Sequence, residues 1–432
     1  MTTLSVVGII LSLALIVILA LRGVHIMLIA PFGVVIVALF SQMGVLETLT
    51  GPYMQGFVNY ASRYYLIFLF ASIFGKFMDD SGAARSIANG ILKIIGRKNA
   101  LYSLYAIAVV TLVLTLGGVS LFVVIFAVMP IARPIFKEMD VPWHLFMAPF
   151  MFGIGSLSMS MIPGTPSTLN IMPMVYLGTP ATAAPVIGIF ASILMLTLNL
   201  LYMRYALNRA RAKDEHYEDP VVTGKTEDVS YENLPHMVLS LIPPIILIAC
   251  LNVIRLDIVW SLVVGCVSAE VFFFKYIKNP MATINAGALN TALPIINTCA
   301  DVGYGMAVAA SAGFTVIKNV LLSIPGPATI SLCIATYLMA AITGSASGGL
   351  GIILETVIQP YVDMGINPEL LHRIVCIAAG SFDAMPHNGV VITSLAVAGL
   401  THKLAYRHIF WPHVMATLIV MIPTIILATI IY

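Results

Sequence analysis

Asp383 and His387 stand in GSFDAMPHNG, residues 380–389, with apolar sequence running on to either side. An acid and an imidazole at membrane depth commonly take up and release protons beside a cavity. On a continuous helix the two, four positions apart, would share a face as a structural ion pair. Pro386 lies between them and interrupts such a helix, which favours a loop lining a cavity. Another acid, Asp301, lies in CADVGYGMAVAASAGF (299–314), whose glycines and small residues predict a re-entrant hairpin. Glu270 and Glu355 are weaker candidates, since either can sit at an interface or pair locally.

The stretch SLSMSMIPGTPSTLN (156–170) carries uncharged chemistry. Pro163 and Pro166 remove backbone donors and free carbonyls, and Gly164 permits turns closed to other residues. A helix restarting after this break offers unpaired N–H groups and a partial positive charge, which suits a carboxylate without burying a full cation. Gly164, Thr165, Ser167, Thr168 and Asn170 are therefore candidate substrate ligands. The break GSASGGLG (344–351) adds Gly344, Ser345 and Ser347, and the 380–389 stretch adds Ser381, His387 and Asn388. A single hydroxyl in a membrane helix as often serves packing or bonds back to the preceding turn. Concentration beside two prolines is what distinguishes 156–170. Proton coupling is assigned to Asp383, His387 and Asp301.

Two short matches carry no function. VGYG (302–305) has the wording of a potassium-channel filter, but Asp301 stands where the filter threonine belongs. GSASG (344–348) misplaces its serine for a G-x-S-x-G elbow, and no nucleophile can be paired with a base, so the reading is not an enzyme. Cys250, Cys266, Cys299, Cys333 and Cys376 lack paired spacing and argue neither for disulfides nor for metal.

These breaks need apolar helices to hold them. Sixty per cent of the 432 residues are hydrophobic and 9% are charged, against about a quarter charged in soluble domains. Apolar runs recur from Leu4 almost to Tyr432, so lipid is the solvent and the spanning elements are helices. About ten to twelve spans plus hairpins fit the length. The first run lacks a basic lead and a cleavage site and is expected to be retained. A net charge of +2, with the basic residues scattered over short loops, gives nucleic acid no face to bind.

One polar stretch, Arg204 to His236, divides the chain; it holds seven of the 19 acidic residues. On either side the sequence repeats itself. Pro134 and Pro360 lie 226 positions apart, as do Pro142 and Pro368, and Gly118 and Gly344; Lys93 and Lys318 lie 225 apart, as do Gly155-Ser156 and Gly380-Ser381. Several matches at one offset predict a first transmembrane repeat (1–206), a hydrophilic linker (207–236) and a second repeat (237–432). Transporters use such repeats, often inverted, with substrate held between broken helices from both halves. Arg204, Arg209, Arg211 and Lys213 beside the linker, with Lys93, Arg97 and Lys98 in an earlier loop, place both loops in the cytoplasm.

GGVSLFVVIFAVMPIARPIF from Gly117, TGSASGGLGI from Thr343 and AAGSFDAMPHNGVVITSLAVAGLTHK from Ala378 resemble the gluconate permease (GntP-type) family of the ion-transporter superfamily. The resemblance implies an all-α polytopic fold of two inverted repeats, each with a re-entrant hairpin and a broken helix. It also implies homodimers and proton-coupled uptake of small hydroxy-carboxylates across the bacterial inner membrane. Site roles carry over to Gly164–Asn170, Gly344–Gly348, Ser381, His387 and Asn388. In gluconate permeases an acidic residue typically follows the last motif's Asn; here Gly389 follows Asn388, and PHNGVVIT and GLTHK resemble the branch for 3-hydroxybutyrate and similar acids. The expectation is a symporter of a small hydroxy-monocarboxylate with protons, needing no cofactor. Sodium is the alternative coupling ion, and a passive channel the alternative of another class.

Overall fold

The computed structural model describes every residue except Met1, Gly23, Arg97, Ser120, 221–232 and His387. The expectations placed on Arg97, His387 and the middle of the linker therefore lie outside the described residues. Everything described is helix, turn or coil, without strand.

The first half runs α1 (Thr2–Leu21), α2 (Ile26–Phe40), α3 (Val45–Asp80), α4 (Ala83–Ile91), α5 (Ala100–Leu116), α6 (Leu121–Glu138), α7 (Trp143–Met161), α8 (Thr168–Leu177) and α9 (Pro185–Ala212). The second runs α10 (Met237–Asn252), α11 (Ile258–Phe273), α12 (Pro280–Ala309), α13 (Ala312–Leu322), α14 (Ala328–Thr343), α15 (Ala346–Val357), a short helix at Gln359–Asp363, then α16 (Pro368–Phe382), α17 (Gly389–Ala398) and α18 (Arg407–Ile431). By length and hydropathy alone, the stretches Thr2–Leu19, Val45–Asp80, Trp143–Met161, Pro185–Ala212 and Arg407–Ile431 can each cross a bilayer, and the shorter apolar helices pack among them. The protein is a multi-pass membrane protein.

Helices α5 and α6 fold back on each other at Gly117–Gly118, and α14 and α15 at Gly344–Ser345. Gly118 (φ +82°) and Gly344 (φ +59°) both sit in the left-handed region, where a side chain is strained. The second hairpin is closed by Ser331 to Tyr361 at its mouth (2.9 Å) and by Gly349 packed on Ala340 near its tip. The broken helices follow. Pro163, Gly164 and Pro166 separate α7 from α8, while residues 383–388 separate α16 from α17.

The ends of these elements are fixed by contacts with α9 and with the residues after it. Asp140 Oδ2 meets His216 Nδ1 at 2.6 Å, and His144 Nε2 lies 3.3 Å from Glu215, so α7 starts at the C-terminal end of α9. Glu369, in the first turn of α16, accepts from the Ala184 amide at 2.9 Å, so α16 starts at the other end of α9.

The stretch 299–314 holds the expected change of direction: residues 299–309 are the last turns of α12, and the chain bends by 92° at Ala310–Ser311 into α13. The glycines before the bend serve close packing. A β-carbon on Gly303 would stand 2.7 Å from the Tyr53 carbonyl oxygen, and one on Gly56 would stand 3.0 Å from Gly303 Cα. Small residues let helix backbones approach this closely.

Candidate functional site

Two helices that begin inside the bundle run side by side. A β-carbon on Gly351 would lie 3.5 Å from Met172 Cε, and the Tyr176 hydroxyl bonds to Glu355, with Arg63 stacked 4.4 Å over the Tyr176 ring. This register, one turn apart on both helices, sets the first turn of α8 level with the first turn of α15. Each has a serine cap. Ser167 accepts from the Asn170 amide (3.4 Å) and donates to Met159 O (2.6 Å); Ser345 accepts from the Gly348 amide (3.1 Å). The opening amides that the caps do not reach have no intrahelical acceptor, and both helices carry the positive end of their dipole here. Asn388 ties in a third start: its Oδ1 caps α17 at Val390 N (2.6 Å) and Val391 N (3.0 Å), while its Nδ2 donates to Gly344 O (2.6 Å).

The side chains sort into groups. Gly164 (φ +84°) turns the chain so that its amide reaches Ala181 O at 2.9 Å, and a β-carbon there would press to 2.8 Å from Asn252 Oδ1. Thr165 and Ser167 face each other at 3.1 Å, and Thr168, at the helix start, is half-buried. Ser347 lies 3.3 Å from Thr298. The Ser381 hydroxyl is fully buried and has no partner among the described residues. Asn170 differs from these. Its amide donates to Thr165 O (3.0 Å) and Ala181 O (2.8 Å), and its oxygen faces His372 Nε2 (3.2 Å), so it braces the tip from within.

Asp301 is 4% exposed on α12, and a β-carbon on Gly348 would stand 2.5 Å from its Oδ2. No cation lies within salt-bridge distance of it among the described residues, so its nearest positive potential is the first turn of α15. Asp383 is arranged otherwise. Its partner is His413, whose Nε2 lies 2.9 Å from Asp383 Oδ1 and whose Nδ1 lies 3.0 Å from Ser156 Oγ. Gly155 makes room for that ring, since a β-carbon there would collide with His413 Cε1. The Ser156 hydroxyl also reaches Pro412 O at 3.4 Å, so it can give its proton to a neutral His413 or turn away from a protonated one. The loop carrying Asp383 is held by Tyr406 to Ala384 O (3.0 Å) and His402 to Pro386 O (2.9 Å).

Residues outside the expected set support the first tip. Arg373 is fully buried and donates to Ala183 O from Nε (3.1 Å) and Nη2 (2.9 Å) and to Ala181 O (3.4 Å). His372 joins Thr179 (2.7 Å) to Asn170. An arginine and a histidine inside the apolar run HRIVCIAA (372–379) carry the same intramembrane signal that pointed to Asp383. His413 carries the same sign inside IFWPHVMATLIV, but its partners are 30 and 257 positions away and cannot be read locally.

Comparison with known proteins agrees with this architecture. Residues 1–289 match the family model described as GntP family permease. An uncharacterized transporter of Bacillus subtilis, YxjC, is 31% identical over 447 residues, covering 93% of this chain and 94% of its own length. An uncharacterized transporter of Haemophilus influenzae is 24% identical over 333 residues, 74% of each chain.

Proposed function

Because the chain belongs to the GntP permease family and is a transporter, we propose that it carries a small hydroxy-monocarboxylate across the bacterial inner membrane together with a proton. The observation behind this reading is the position of Asp301 against the first turn of α15. A substrate carboxylate seated at the starts of α8 and α15 competes with the Asp301 carboxylate for one positive helix end. Two like charges at that distance repel, so substrate binding favours a proton on Asp301, and substrate release favours its loss. Cotransport follows from electrostatics alone.

Ser167, Thr168, Ser345 and Ser347 line the carboxylate end, and the orphaned Ser381 hydroxyl and Asn388 offer partners for the substrate hydroxyl. A monoanion fits this cradle, since its nearest buried arginine, Arg373, is already committed to carbonyls. The pair Asp383–His413 is a second proton station, linked to the first half through Ser156. The two halves are read as inverted repeats: α7 and α16 are counterparts that start at opposite ends of α9. In the same reading two copies form the working dimer.

Proteoliposomes loaded with a pH dye test the coupling. Uptake of 3-hydroxybutyrate or gluconate acidifies the lumen in the wild type; Asp301→Asn and Asp383→Asn variants that take up substrate with unchanged acidification would refute it. A sodium-coupled reading draws on Asn297, whose buried oxygen has no hydrogen-bond partner among the described residues. Replacing external sodium with choline separates the two, since only sodium coupling loses uptake.

A further inference from the structure

Helices α9 and α18 line a cleft of about 480 Å³. We propose that this cleft holds one anionic phospholipid, its phosphate between Arg209 and Arg407 and an acyl chain along Leu198, Leu201 and Ile419.

The wall is graded in the order a lipid presents its parts. Leu198 and Leu201 lie at the deep end, the Tyr202 and Trp411 rings stack at 5.9 Å in the middle, and Arg209 and Arg407 stand at the rim. From Leu198 to Arg209 the helix rises by roughly 16 Å, enough to pass from hydrocarbon through an aromatic belt to the headgroup level. Leu201 is 57% exposed and Ile419 42%, so the apolar wall faces outward rather than into the protein.

Charge selects the headgroup. Arg209 is steadied by the Tyr205 hydroxyl (2.9 Å) and Arg407 by His408 Nε2 (3.0 Å), and neither forms a salt bridge among the described residues. Their remaining N–H groups suit a phosphate, for which a guanidinium is the matching donor. Glu215, the acid on the rim, already faces His144 (3.3 Å) and Lys213 (3.8 Å). The rim is therefore net positive, and basic pockets between transmembrane helices on one leaflet bind anionic headgroups.

Thermal unfolding of the purified, delipidated full-length protein, followed without transport substrate, tests this apart from the transport reading. Dioleoylphosphatidylglycerol should raise the midpoint, while dioleoylphosphatidylcholine and free glycerol 1-phosphate should not. Each arginine near an anionic surface contributes about fivefold in binding, so Arg209→Gln with Arg407→Gln should weaken phosphatidylglycerol binding about twenty-five-fold. Arg211→Gln, on the same helix outside the cleft, should leave it unchanged. Leu198→Trp fills the apolar end with both arginines intact and should also abolish the effect, which keeps the test open if the double variant does not fold. Equal protection by phosphatidylcholine, protection by glycerol 1-phosphate, or a phosphatidylglycerol response that survives both substitutions would each overturn the proposal. So would a double variant whose only change is loss of a dimer, because the cleft would then be a contact between copies.

Discussion

Gly348 stands so close to Asp301 that a single methyl group on the glycine would lie 2.5 Å from the carboxylate oxygen. The pair brings the start of a helix into direct contact with an acid that has no counter-ion among the described residues. Gly348→Ala is expected to push Asp301 away from that helix end and to lower substrate-driven acidification of proteoliposomes as Asp301→Asn does. A Gly348→Ala variant with wild-type stoichiometry of proton to substrate would show that the contact is only packing.

The second proton station makes a different prediction. Gly155→Ala forces the His413 ring from its place between Asp383 and Ser156, at an overpacking cost of about 1–3 kcal/mol. Transport by this variant and by His413→Ala should slow together. His413→Gln, which keeps a donor toward Asp383 but cannot carry a proton, separates the roles: if it transports at the wild-type rate with intact coupling, the histidine only holds the loop.

Arg373 is predicted to matter for stability without touching substrate. Its removal leaves the carbonyls of Ala181 and Ala183 without their charged donor, and a hydrogen bond to a charged group contributes about 1.5–3 kcal/mol. Arg373→Ala should lower the thermal midpoint in detergent well beyond Arg211→Ala on the exposed end of α9. Equal midpoints for the two variants would refute the brace.

The residues just after α9 predict a pH dependence. Asp140 raises the His216 imidazole above its ordinary value of 6.5, so the contribution of this group is full below 6.5 and is lost as pH climbs through the raised value. The Tyr217 amide, and then His216, hold Asp140 below its ordinary 3.8, so its contribution is full above 3.8 and is lost as pH falls through the lowered value. The clasp is complete between those limits. Limited proteolysis in the linker should accelerate as pH rises above the raised His216 value, and His216→Ala should cleave fast at every pH. A wild-type rate that stays flat across pH 5–9 would remove the clasp from consideration.

Much of this architecture could be read from residue types. Pro163, Gly164 and Pro166 mark the first break, residues 383–388 the second, and the offset between Gly118 and Gly344 recurs as two hairpin tips in left-handed conformation. Local chemistry dictates each of these, since proline lacks a donor and only glycine adopts such turns freely. In 299–314 the bend falls at Ala310–Ser311, while the glycines before it let helices pack closely, and composition does not distinguish the two uses of glycine. His413 is legible only as an ionisable residue in an apolar run. Its partners Asp383 and Ser156 are both distant in sequence, and FWPHVM carries no sign of them.

The brace between Asn170 and His372 spans 202 residues. During synthesis at 5–20 residues per second, the first tip enters the bilayer roughly 10–40 s before its second-half partners exist. Throughout that interval the Ala183 carbonyl lacks the arginine that will donate to it, while Ala181 already has Gly164 and Asn170 as donors. The first tip therefore gains its complete set of donors only once the second half has been made.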